Sequence, residues 1–461
     1  MAGRSKLLRL WKKMRKLHLS TTQIIALVFA GIILLGATLL TLPVASRSGE
    51  SCGFFAALFT ATSATCVTGL VLFDTWTQWS GFGQTVILLL IEVGGLGFMS
   101  AAAIVIFLMR RKVGLKQRMV MAQAMSVNDM QGVVRLQKIV IFGSLSVQAV
   151  GMLLLLVRFW PEFGLARGLK WSVFHAVSAF CNAGFDIFGV LEPGKSVMLF
   201  NDDPMVLIVL MLLITVGGLG FLVWQELATV RSFKKFSVYT KLVLIATGVI
   251  ILLGSGLILL LEWNNPDTLG PMPVWQKVLN AFFQTVTLRT AGFVSLDQSL
   301  LREGTKAASM VIMLIGGSSG STAGGLKTVT FVVLVLFIWS KARGRNTVHI
   351  FKRTIPQGKA MDATTIFLVM TGLAFFGGFF ITATSPVTVS FTDGLFEAIS
   401  ALAPVGLTAG ITPVMGVPAQ MLIVAFMYFG RVGVLTISLG FLMGNKAEDR
   451  FRYADTNLLI G

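Results

Sequence analysis

The stretch F-T-A-T-S-A-T-C-V-T-G-L, residues 59–70, recurs in altered form three more times along the chain. Each copy begins as a short amphipathic segment and ends with a glycine in a small polar turn. The other copies are H-A-V-S-A-F-C-N-A-G-F (175–185), N-A-F-F-Q-T-V-T-L-R-T-A-G-F (280–293) and E-A-I-S-A-L-A-P-V-G-L-T-A-G (397–410). The aligned glycines, at intervals of 115, 108 and 114 residues, are Gly69, Gly184, Gly292 and Gly406. This regular spacing predicts four copies of one structural unit.

The composition places these copies in a membrane protein. Of the 461 residues, 55% are hydrophobic and only 13% are charged, with a mean hydropathy of +0.82. Apolar runs of about 20 residues predict spanning helices rather than the alternating strands of an outer-membrane barrel. Basic residues outnumber acidic ones by 38 to 20, but they cluster beside the spans, which indicates membrane topology and not nucleic-acid binding. The three cysteines and three histidines form no ligand-like cluster, and we expect no enzyme.

Each copy is flanked by two longer apolar runs. First spans are predicted at about 22–42, 136–160, 239–262 and 364–384, and second spans at about 83–109, 205–230, 307–339 and 419–444. The segment before each glycine is only about three turns long, too short to cross a hydrocarbon core of about 30 Å. The predicted fold is therefore an all-α integral membrane protein of four pseudo-fourfold M1–P-loop–M2 repeats (first span, re-entrant loop, second span) around one pore. It would contain eight transmembrane helices plus four re-entrant half-helices. The repeats cover 21–110, 111–231, 232–341 and 342–445, between terminal segments 1–20 and 446–461.

The charge distribution sets the orientation. The first twenty residues hold seven Lys/Arg and no acid, 110–138 hold seven with one acid, and 341–359 hold six with none. Acids such as Asp74, Asp186 and Asp297 lie in the loops of the opposite side. The positive-inside rule then predicts a multi-pass protein of the plasma membrane, with both termini in the cytoplasm and the four glycine turns facing outward.

The four turns carry a prediction about ion chemistry. Non-helical backbone at membrane depth is tolerated only where it is buried in protein or lines a water-filled cavity. Glycine reaches φ > 0 conformations that aim consecutive carbonyls at one point, and a ring of carbonyl dipoles replaces the hydration shell of a monovalent cation. The negative C-terminal ends of the half-helices favour the same cation. The predicted carbonyl donors for K⁺ are Val67, Thr68, Gly69, Asn182, Ala183, Gly184, Thr290, Ala291, Gly292, Pro404, Val405 and Gly406.

A second glycine pattern lies in the second spans. V-G-G-L-G-F occurs at 93–98 and at 216–221, F-G-R-V-G-V at 429–434, and the third copy is expanded to I-G-G-S-S-G-S-T-A-G-G-L-K-T at 315–328. For the compact copies, close helix packing is the favoured interpretation. The expanded copy has little helix preference, and we expect an intramembrane gate at 316–325 that occludes the pore in one of two backbone arrangements. A packing kink is the alternative, and Leu326 breaks the spacing of a phosphate-binding loop. The predicted gate residues are Gly316, Gly317, Ser318, Ser319, Gly320, Ser321, Thr322, Ala323, Gly324, Gly325 and Arg431.

Arg431 replaces the second glycine of the fourth cluster. A cation at the centre of a span costs roughly 2.5–3.5 kcal/mol and normally faces a cavity or a partner. The sequence leaves open whether Arg431 forms a barrier to cations beside the gate or a structural pair with Glu92. Arg289 is expected to be a brace or an outer-vestibule charge. For Glu92 and Glu226 a structural pair is favoured over coupling to protons or sodium, and Glu226 is also close enough to the cytoplasmic end to be simply solvated.

The four turns and the expanded cluster together resemble a known family. T-A-T-S-A-T-C-V-T-G-L, F-C-N-A-G-F, T-L-R-T-A-G-F and A-P-V-G-L-T-A-G resemble the filter loops of the Trk/Ktr/HKT superfamily of cation transporters, most closely its KtrB-type membrane subunits. G-G-S-S-G-S-T-A-G-G-L-K-T resembles the gate loop of the bacterial members. Plant relatives that prefer sodium carry Ser at the first filter glycine, so Gly69 favours potassium, whereas Pro404 departs from the usual small polar residue of the fourth loop.

The resemblance covers nearly the whole chain and implies a function. It implies potassium uptake, with Na⁺ stimulation in many Ktr systems. It also implies a homodimer of membrane subunits on a cytosolic ring of nucleotide-binding KtrA-like subunits, so a nucleotide would act only through that regulatory partner. A sodium-coupled secondary transporter of a small solute is the alternative, although such transporters usually carry inverted or paired repeats. The basic segments 110–116 and 341–353 suit a partner protein, anionic lipid or topology alone.

Overall fold

The computed structural model describes residues 21–97, 132–345 and 347–433. The predicted cytoplasmic termini, the basic segment 110–116 and the cytoplasmic ends of the first and fourth second spans lie outside these residues.

The described helices follow the order of the predicted repeats. The first repeat contains α1 (Thr21–Thr41), α2 (Phe54–Cys66), α3 (Thr75–Gln78) and α4 (Gly81–Leu96). The second contains α5 (Val133–Phe163), α6 (Leu165–Phe180), α7 (Pro204–Leu219) and α8 (Phe221–Thr229). The third contains α9 (Val238–Glu262), α10 (Val274–Thr287), α11 (Glu303–Leu314) and α12 (Thr328–Ala342). The fourth contains β1 (Val348–Ile350), β2 (Arg353–Ile355), α13 (Gln357–Thr384), α14 (Phe391–Leu402) and α15 (Val417–Val432).

The helix that opens each repeat is long and apolar enough to cross a membrane. α1, α5, α9 and α13 contain 21, 31, 25 and 28 residues, and about 20 residues of helix span 30 Å. α7 and α8 pass the same test together, but they meet at a bend of 95°. By length and composition the described residues hold four spanning helices, or five if the bent pair is one span, so the total of eight stays a prediction.

The second helices of the repeats end inside the predicted spans. α4, α7 and α15 stop directly before the last glycine of their clusters, where Gly97, Gly220 and Gly433 have φ of 82°, 95° and 98°. A left-handed φ ends a right-handed helix at little cost only when the residue is glycine. In the third repeat, α11 ends at Leu314 and α12 begins at Thr328, so the expanded cluster forms the whole interruption.

A small hairpin is the part of the fold that the all-α prediction misses. β1 and β2 pair antiparallel between α12 and α13. Phe351 and Lys352 have φ of 46° and 61°, as a two-residue hairpin turn with both central residues left-handed requires. Ile355 packs on the cluster of Val333 and Ala360, which anchors the hairpin to the flanking helices.

The half-helices occupy the interior of the molecule. α2, α6, α10 and α14 each contribute a fully buried phenylalanine, namely Phe59, Phe180, Phe283 and Phe396. The opening helices instead expose apolar side chains; on α9, Leu253 is 70% and Leu260 is 77% exposed. Since exposed leucines at this density suit hydrocarbon and not water, the opening helices form the lipid-facing shell and the half-helices lie within it.

Candidate ion pathway

The four predicted filter glycines meet in one ring. A methyl group built on Gly69 would lie 2.7 Å from the Ala183 carbonyl oxygen of the next repeat, and one on Gly184 would lie 2.8 Å from that of Ala291. The same holds for Gly292 against Val405, at 2.6 Å. A methyl on Gly406 would collide with the Thr68 carbonyl oxygen of the first repeat, so the series of contacts closes into a ring. The turns are therefore packed backbone against backbone, in the order of the repeats.

Every turn has the same alternating backbone. The four glycines have φ of 98°, 69°, 80° and 91° in chain order. The residue two places before each glycine is also left-handed: Val67, Asn182 and Thr290 have φ of 57°, 59° and 66°. Alternation of left-handed and other conformations turns successive carbonyls toward the same side, which is the geometry of a carbonyl-lined filter. Pro404 reaches only φ 21°, and since a proline ring prefers about −65°, the fourth turn is the most strained of the four.

Hydroxyl groups at the ends of the half-helices hold the turns in place. The Oγ atoms of Ser63 and Ser400 accept hydrogen bonds from the filter glycine N–H groups of their own repeats, at 3.0 and 3.1 Å. The hydroxyls of Ser178 and Thr287 donate instead to the carbonyl of the residue after the glycine, both at 2.7 Å. The sequence analysis missed these residues, although a Ser-Ala pair six residues before the glycine recurs in three repeats.

The first glycine of each compact cluster lets a second helix approach the half-helix end. A methyl on Gly94, Gly217 or Gly430 would collide with a main-chain carbonyl oxygen at the end of α2, α6 or α14. This contact is what the close-packing interpretation requires. The half-helices in turn present their C-terminal ends, which carry partial negative charge, to the filter turns.

The predicted gate loop lies against the second and fourth repeats. Its main-chain N–H groups at Ser318 and Thr322 donate to the carbonyls of Gly218 and Gly217, at 3.0 and 3.3 Å. Phe221, at the start of α8, donates its N–H back to Gly320 at 2.8 Å. A methyl on Gly324 would lie 2.9 Å from the Pro404 ring, which places that part of the loop next to the fourth filter turn.

Arg431 binds backbone oxygens of the gate loop and of the first repeat. Its guanidinium donates to the carbonyl of Thr322 and, from the first repeat, to those of Gly94 at 2.5 Å and Gly95 at 3.0 Å. In the part of the chain that the structure describes, it forms no ion pair with Glu92. The Glu92 carboxylate accepts from the side-chain amide of Gln148 at 2.9 Å and from the Cys181 thiol at 3.4 Å. The Arg431 guanidinium therefore lies against the loop 316–325, and its action as a barrier to cations stays a prediction.

Lys327 is a second cation at the gate, which the sequence analysis did not single out. Its ammonium donates to the Ala323 carbonyl at 2.8 Å, directly beside the Thr322 carbonyl that Arg431 holds. Two consecutive carbonyls of the loop are thus capped by two positive charges. The signal in the sequence was a lysine at the end of a glycine-rich interruption, at a depth where cations are rare.

Side chains also join the gate loop to the filter and to α9. The Thr322 hydroxyl donates to the Phe180 carbonyl at 3.2 Å and lies 3.3 Å from the amide oxygen of Asn182, a filter residue. The Tyr239 hydroxyl donates to the Ser319 carbonyl at 2.9 Å, and the sequence analysis missed this contact as well. The middle of the loop is therefore held by the second half-helix on one side and by α9 on the other.

The side chains of two remaining predicted charges, Arg289 and Glu226, bind partners outside the four turns. Arg289 is buried behind the third turn, and its guanidinium donates to the Thr247 hydroxyl at 3.3 Å, which fits a brace. Glu226 accepts from the N–H and hydroxyl of Ser237, at 2.5 and 2.7 Å, and from the Thr240 hydroxyl. These contacts lie at the corner between α8 and α9, and among the described residues Glu226 forms no salt bridge of the kind a structural pair would require.

Comparison with known proteins agrees with this architecture. Residues 5–450 match the TrkH family, described as cation transport proteins. The chain is 38% identical over 455 residues to the potassium/sodium uptake protein NtpJ of Enterococcus hirae, with 98% of this chain and 99% of that protein covered. It is 37% identical over 450 residues to the Ktr system potassium uptake protein B of Bacillus subtilis, with the same coverage.

A solved structure shows the same fold. The potassium transporter TrkH from Vibrio parahaemolyticus superposes with a TM-score of 0.72 over 92% of this chain and 86% of that chain, at 17% sequence identity. The family match extends over nearly the whole sequence, and the two relatives exceed one third identity over nearly their full lengths. The chain therefore belongs to the TrkH family of cation transport proteins.

Proposed function

We propose that this chain is the potassium-selective, ion-translocating subunit of a Ktr-type uptake system. The observation that carries the proposal is the closed ring of four turns with left-handed glycines. Carbonyl dipoles in such a ring can replace the hydration shell of K⁺ without any charged ligand. The predicted donors are the carbonyls of residues 67–69, 182–184, 290–292 and 404–406.

The gate loop and its two cations would control passage below the filter. Arg431 and Lys327 cap the neighbouring carbonyls of Thr322 and Ala323, so a cation leaving the filter would meet two like charges. In a medium of low dielectric constant, such repulsion is stronger than in water. Transport then requires the loop to withdraw together with these charges, and its glycines permit a second backbone arrangement.

Potassium is the proposed substrate, and sodium is a second candidate cation. One relative is named as a potassium uptake protein and another as a potassium/sodium uptake protein. Gly69 at the first filter position favours potassium. Sodium would act as a stimulating or co-transported ion rather than as the selected one.

We also propose a homodimer that docks a cytosolic, nucleotide-binding ring of KtrA-like subunits. Two curated relatives are named as proteins B and D of a Ktr system. The segment around β1 and β2 offers exposed basic side chains, among them Arg343, Arg345, Lys352 and Arg353. Replacing these four by Gln should weaken co-purification with a KtrA-type ring while basal ion uptake stays native. Retained co-purification would assign the charges to lipid or topology.

The deciding experiment is rubidium tracer uptake into proteoliposomes of the purified protein, competed separately by potassium, sodium and lithium. Strong competition by potassium and little by sodium or lithium is the expected result. Equal competition by sodium would mean that the turns form an unselective vestibule, and the sodium-coupled transporter would then be the better hypothesis.

A matched pair of glycine variants tests whether the ring selects the ion. Gly69→Ser places a side chain against Ala183 of the next repeat and should reduce the discrimination between potassium and sodium. Gly256→Ala is the control, because a methyl group there meets no atom within 4 Å. Unchanged discrimination in folded Gly69→Ser protein would argue against the filter.

A further inference from the structure

A buried polar residue lies one turn before the filter hydroxyl on every half-helix. These residues are Thr60, His175, Gln284 and Glu397, each three positions before Ser63, Ser178, Thr287 and Ser400. All four are buried, and the last three are fully inaccessible to solvent. A buried polar group is costly unless it is hydrogen-bonded, so their partners indicate what they do.

In the second and third repeats this residue binds the stretch of chain that follows the filter glycine, which we call the outgoing segment. His175 lies 2.7 Å from the Trp171 carbonyl through Nδ1, which must therefore carry the proton, and its Nε2 accepts from the Ile187 N–H at 3.3 Å. Gln284 and Gln298 exchange two amide hydrogen bonds, at 2.6 and 3.1 Å. Ile187 and Gln298 follow the filter glycines of their repeats by three and six residues.

The fourth repeat uses a carboxylate for the same contact. Glu397 accepts hydrogen bonds from the hydroxyls of Thr408 and of Thr412, the latter at 3.0 Å. The Thr408 and Thr412 hydroxyl oxygens lie 3.1 Å apart, and Thr408 accepts from the Gly410 N–H at 2.9 Å, so residues 408–412 form one network that two hydroxyls join to Glu397. No ion pair to Glu397 occurs among the described residues, and both hydroxyls therefore donate to an acceptor without a countercharge.

Among the residues that the structure describes, the first repeat shows no such contact. The Thr60 hydroxyl donates to the Ala56 carbonyl of its own helix, at 3.0 Å, and reaches no residue beyond the filter. The four quarters of the ring thus differ in how the outgoing segment is held. The fourth quarter has an acidic residue at this position and also the most strained turn, at Pro404.

We propose that Glu397 is a positioning and specificity-determining residue. Through Thr408 and Thr412 it holds the outgoing segment and thereby fixes the carbonyls of Val405 and Gly406 at the spacing that distinguishes potassium from sodium. His175 and Gln284 do the same in their repeats with neutral groups. The inference rests on the proposed filter function, since it concerns how that filter keeps its shape.

The test compares a buried hydroxyl that binds Glu397 in the fourth repeat with a buried hydroxyl of the first repeat that binds only its own helix. Thr412→Val removes one hydroxyl from Glu397, whereas Thr60→Val removes a buried hydroxyl at the unbraced position of the first repeat. Rubidium uptake into proteoliposomes is competed with potassium and with sodium, and the ratio of the two inhibition constants is measured. Thr412→Val should lower this ratio about tenfold, as expected for one hydrogen bond to a charged group, and Thr60→Val should leave it native.

A conservative variant separates positioning from loss of structure. Thr408→Ser retains the hydroxyl and should keep the native ratio, whereas Thr408→Val should lower it. Each variant is first checked for a single symmetric peak in size-exclusion chromatography. If Thr408→Val does not fold, Thr412→Val and Glu397→Gln decide the question by the same ratio.

The possible outcomes distinguish the two proposals. A native protein that does not discriminate potassium from sodium would overturn the filter itself. A native protein that discriminates, with Thr412→Val and Glu397→Gln indistinguishable from Thr60→Val, would overturn only the role of Glu397.

Discussion

Arg431 is held by main-chain oxygens rather than by an acid. Its guanidinium joins Gly94 and Gly95 of the first repeat to Thr322 of the gate loop. Arg431→Ala removes these contacts together with the positive charge, and we expect the initial rate of rubidium uptake to rise about tenfold, since hydrogen bonds to a charged group contribute at least that factor. Arg431→Lys keeps the positive charge but loses the forked set of N–H donors, so its rate of rubidium uptake should rise less. Folded Arg431→Ala protein with native or slower uptake would contradict a barrier role.

The filter glycines should tolerate no side chain. Gly406 has φ of 91°, and a methyl group on it would collide with the Thr68 carbonyl. We expect the rate of uptake by Gly406→Ala to fall at least about a hundredfold. A hundredfold change corresponds to about 2.7 kcal/mol, and the backbone strain and the collision together exceed this energy. Gly248→Ala, in open space on α9, is the control and should transport normally. Near-native transport by Gly406→Ala would remove the fourth turn from the pathway.

Asp186 should make uptake sensitive to external pH. It lies two residues after the second filter glycine, and burial raises its pKa to about 6, with the nearby Asp74 carboxylate adding to the increase. As external pH falls from 7.5 to 5.5, Asp186 gains a proton and the outer mouth loses a negative charge. The KM for rubidium should then rise about threefold, since one half-buried charge at the edge of the aqueous outer mouth contributes less than about 1 kcal/mol.

The pH response should disappear in one variant and persist in another. Asp186→Asn should show the raised KM at both pH values, whereas Glu192→Gln, an exposed acid of the same outer loop, should keep the native response. A full pH response in Asp186→Asn would place the titrating group elsewhere.

At the scale of elements, the gate loop depends on α9. The Tyr239 hydroxyl binds the Ser319 carbonyl, and Tyr239→Phe removes only this hydrogen bond. Because such a bond contributes about 0.5–1.5 kcal/mol, the population of the withdrawn loop and the rate of rubidium uptake should increase roughly two- to tenfold. Deleting residues 318–321 should increase uptake further.

Another tyrosine provides the control for this prediction. Tyr428 donates its hydroxyl to the Ala26 carbonyl at 2.7 Å, which joins α15 to α1 away from the loop. Tyr428→Phe should leave the uptake rate unchanged. Equal rates in the two Tyr→Phe variants would mean that the contact with Ser319 does not hold the gate.

The opening helices could be predicted from sequence, but the breaks in the second helices could not. The fourth opening helix was predicted at 364–384 and is observed at Gln357–Thr384, because a long apolar run fixes both its type and its outer end. The second span of the second repeat is apolar across Gly220, so hydropathy gave no sign of the 95° bend there. A backbone turn at a left-handed glycine depends on what packs around it, in this case the Ser319 carbonyl 2.9 Å from the position of a methyl group.

At the scale of the whole molecule, fourfold regularity was visible in the intervals between glycines, whereas the differences between quarters were not. The equivalent residues His175, Gln284 and Glu397 look unrelated in sequence, and their common role appears only when the outgoing segments are placed beside them. Lys327 was hidden for a similar reason, since its partner Ala323 lies within the same loop. Contacts formed by irregular backbone, and not helix or strand preference, decided these cases.

The ring of filter glycines has a direction. A side chain added at Gly69 would contact the second repeat, one at Gly184 the third, one at Gly292 the fourth and one at Gly406 the first. Damage at one glycine should therefore be relieved by changes in the quarter that receives the contact. In a genetic selection for restored growth, suppressors of a Gly69 substitution should map to 182–185, and those of a Gly406 substitution to 66–69. Suppressors mapping instead to the preceding repeat would show that strain passes around the ring in the opposite direction. The positions of the suppressors would therefore reveal the direction in which each turn leans on its neighbour.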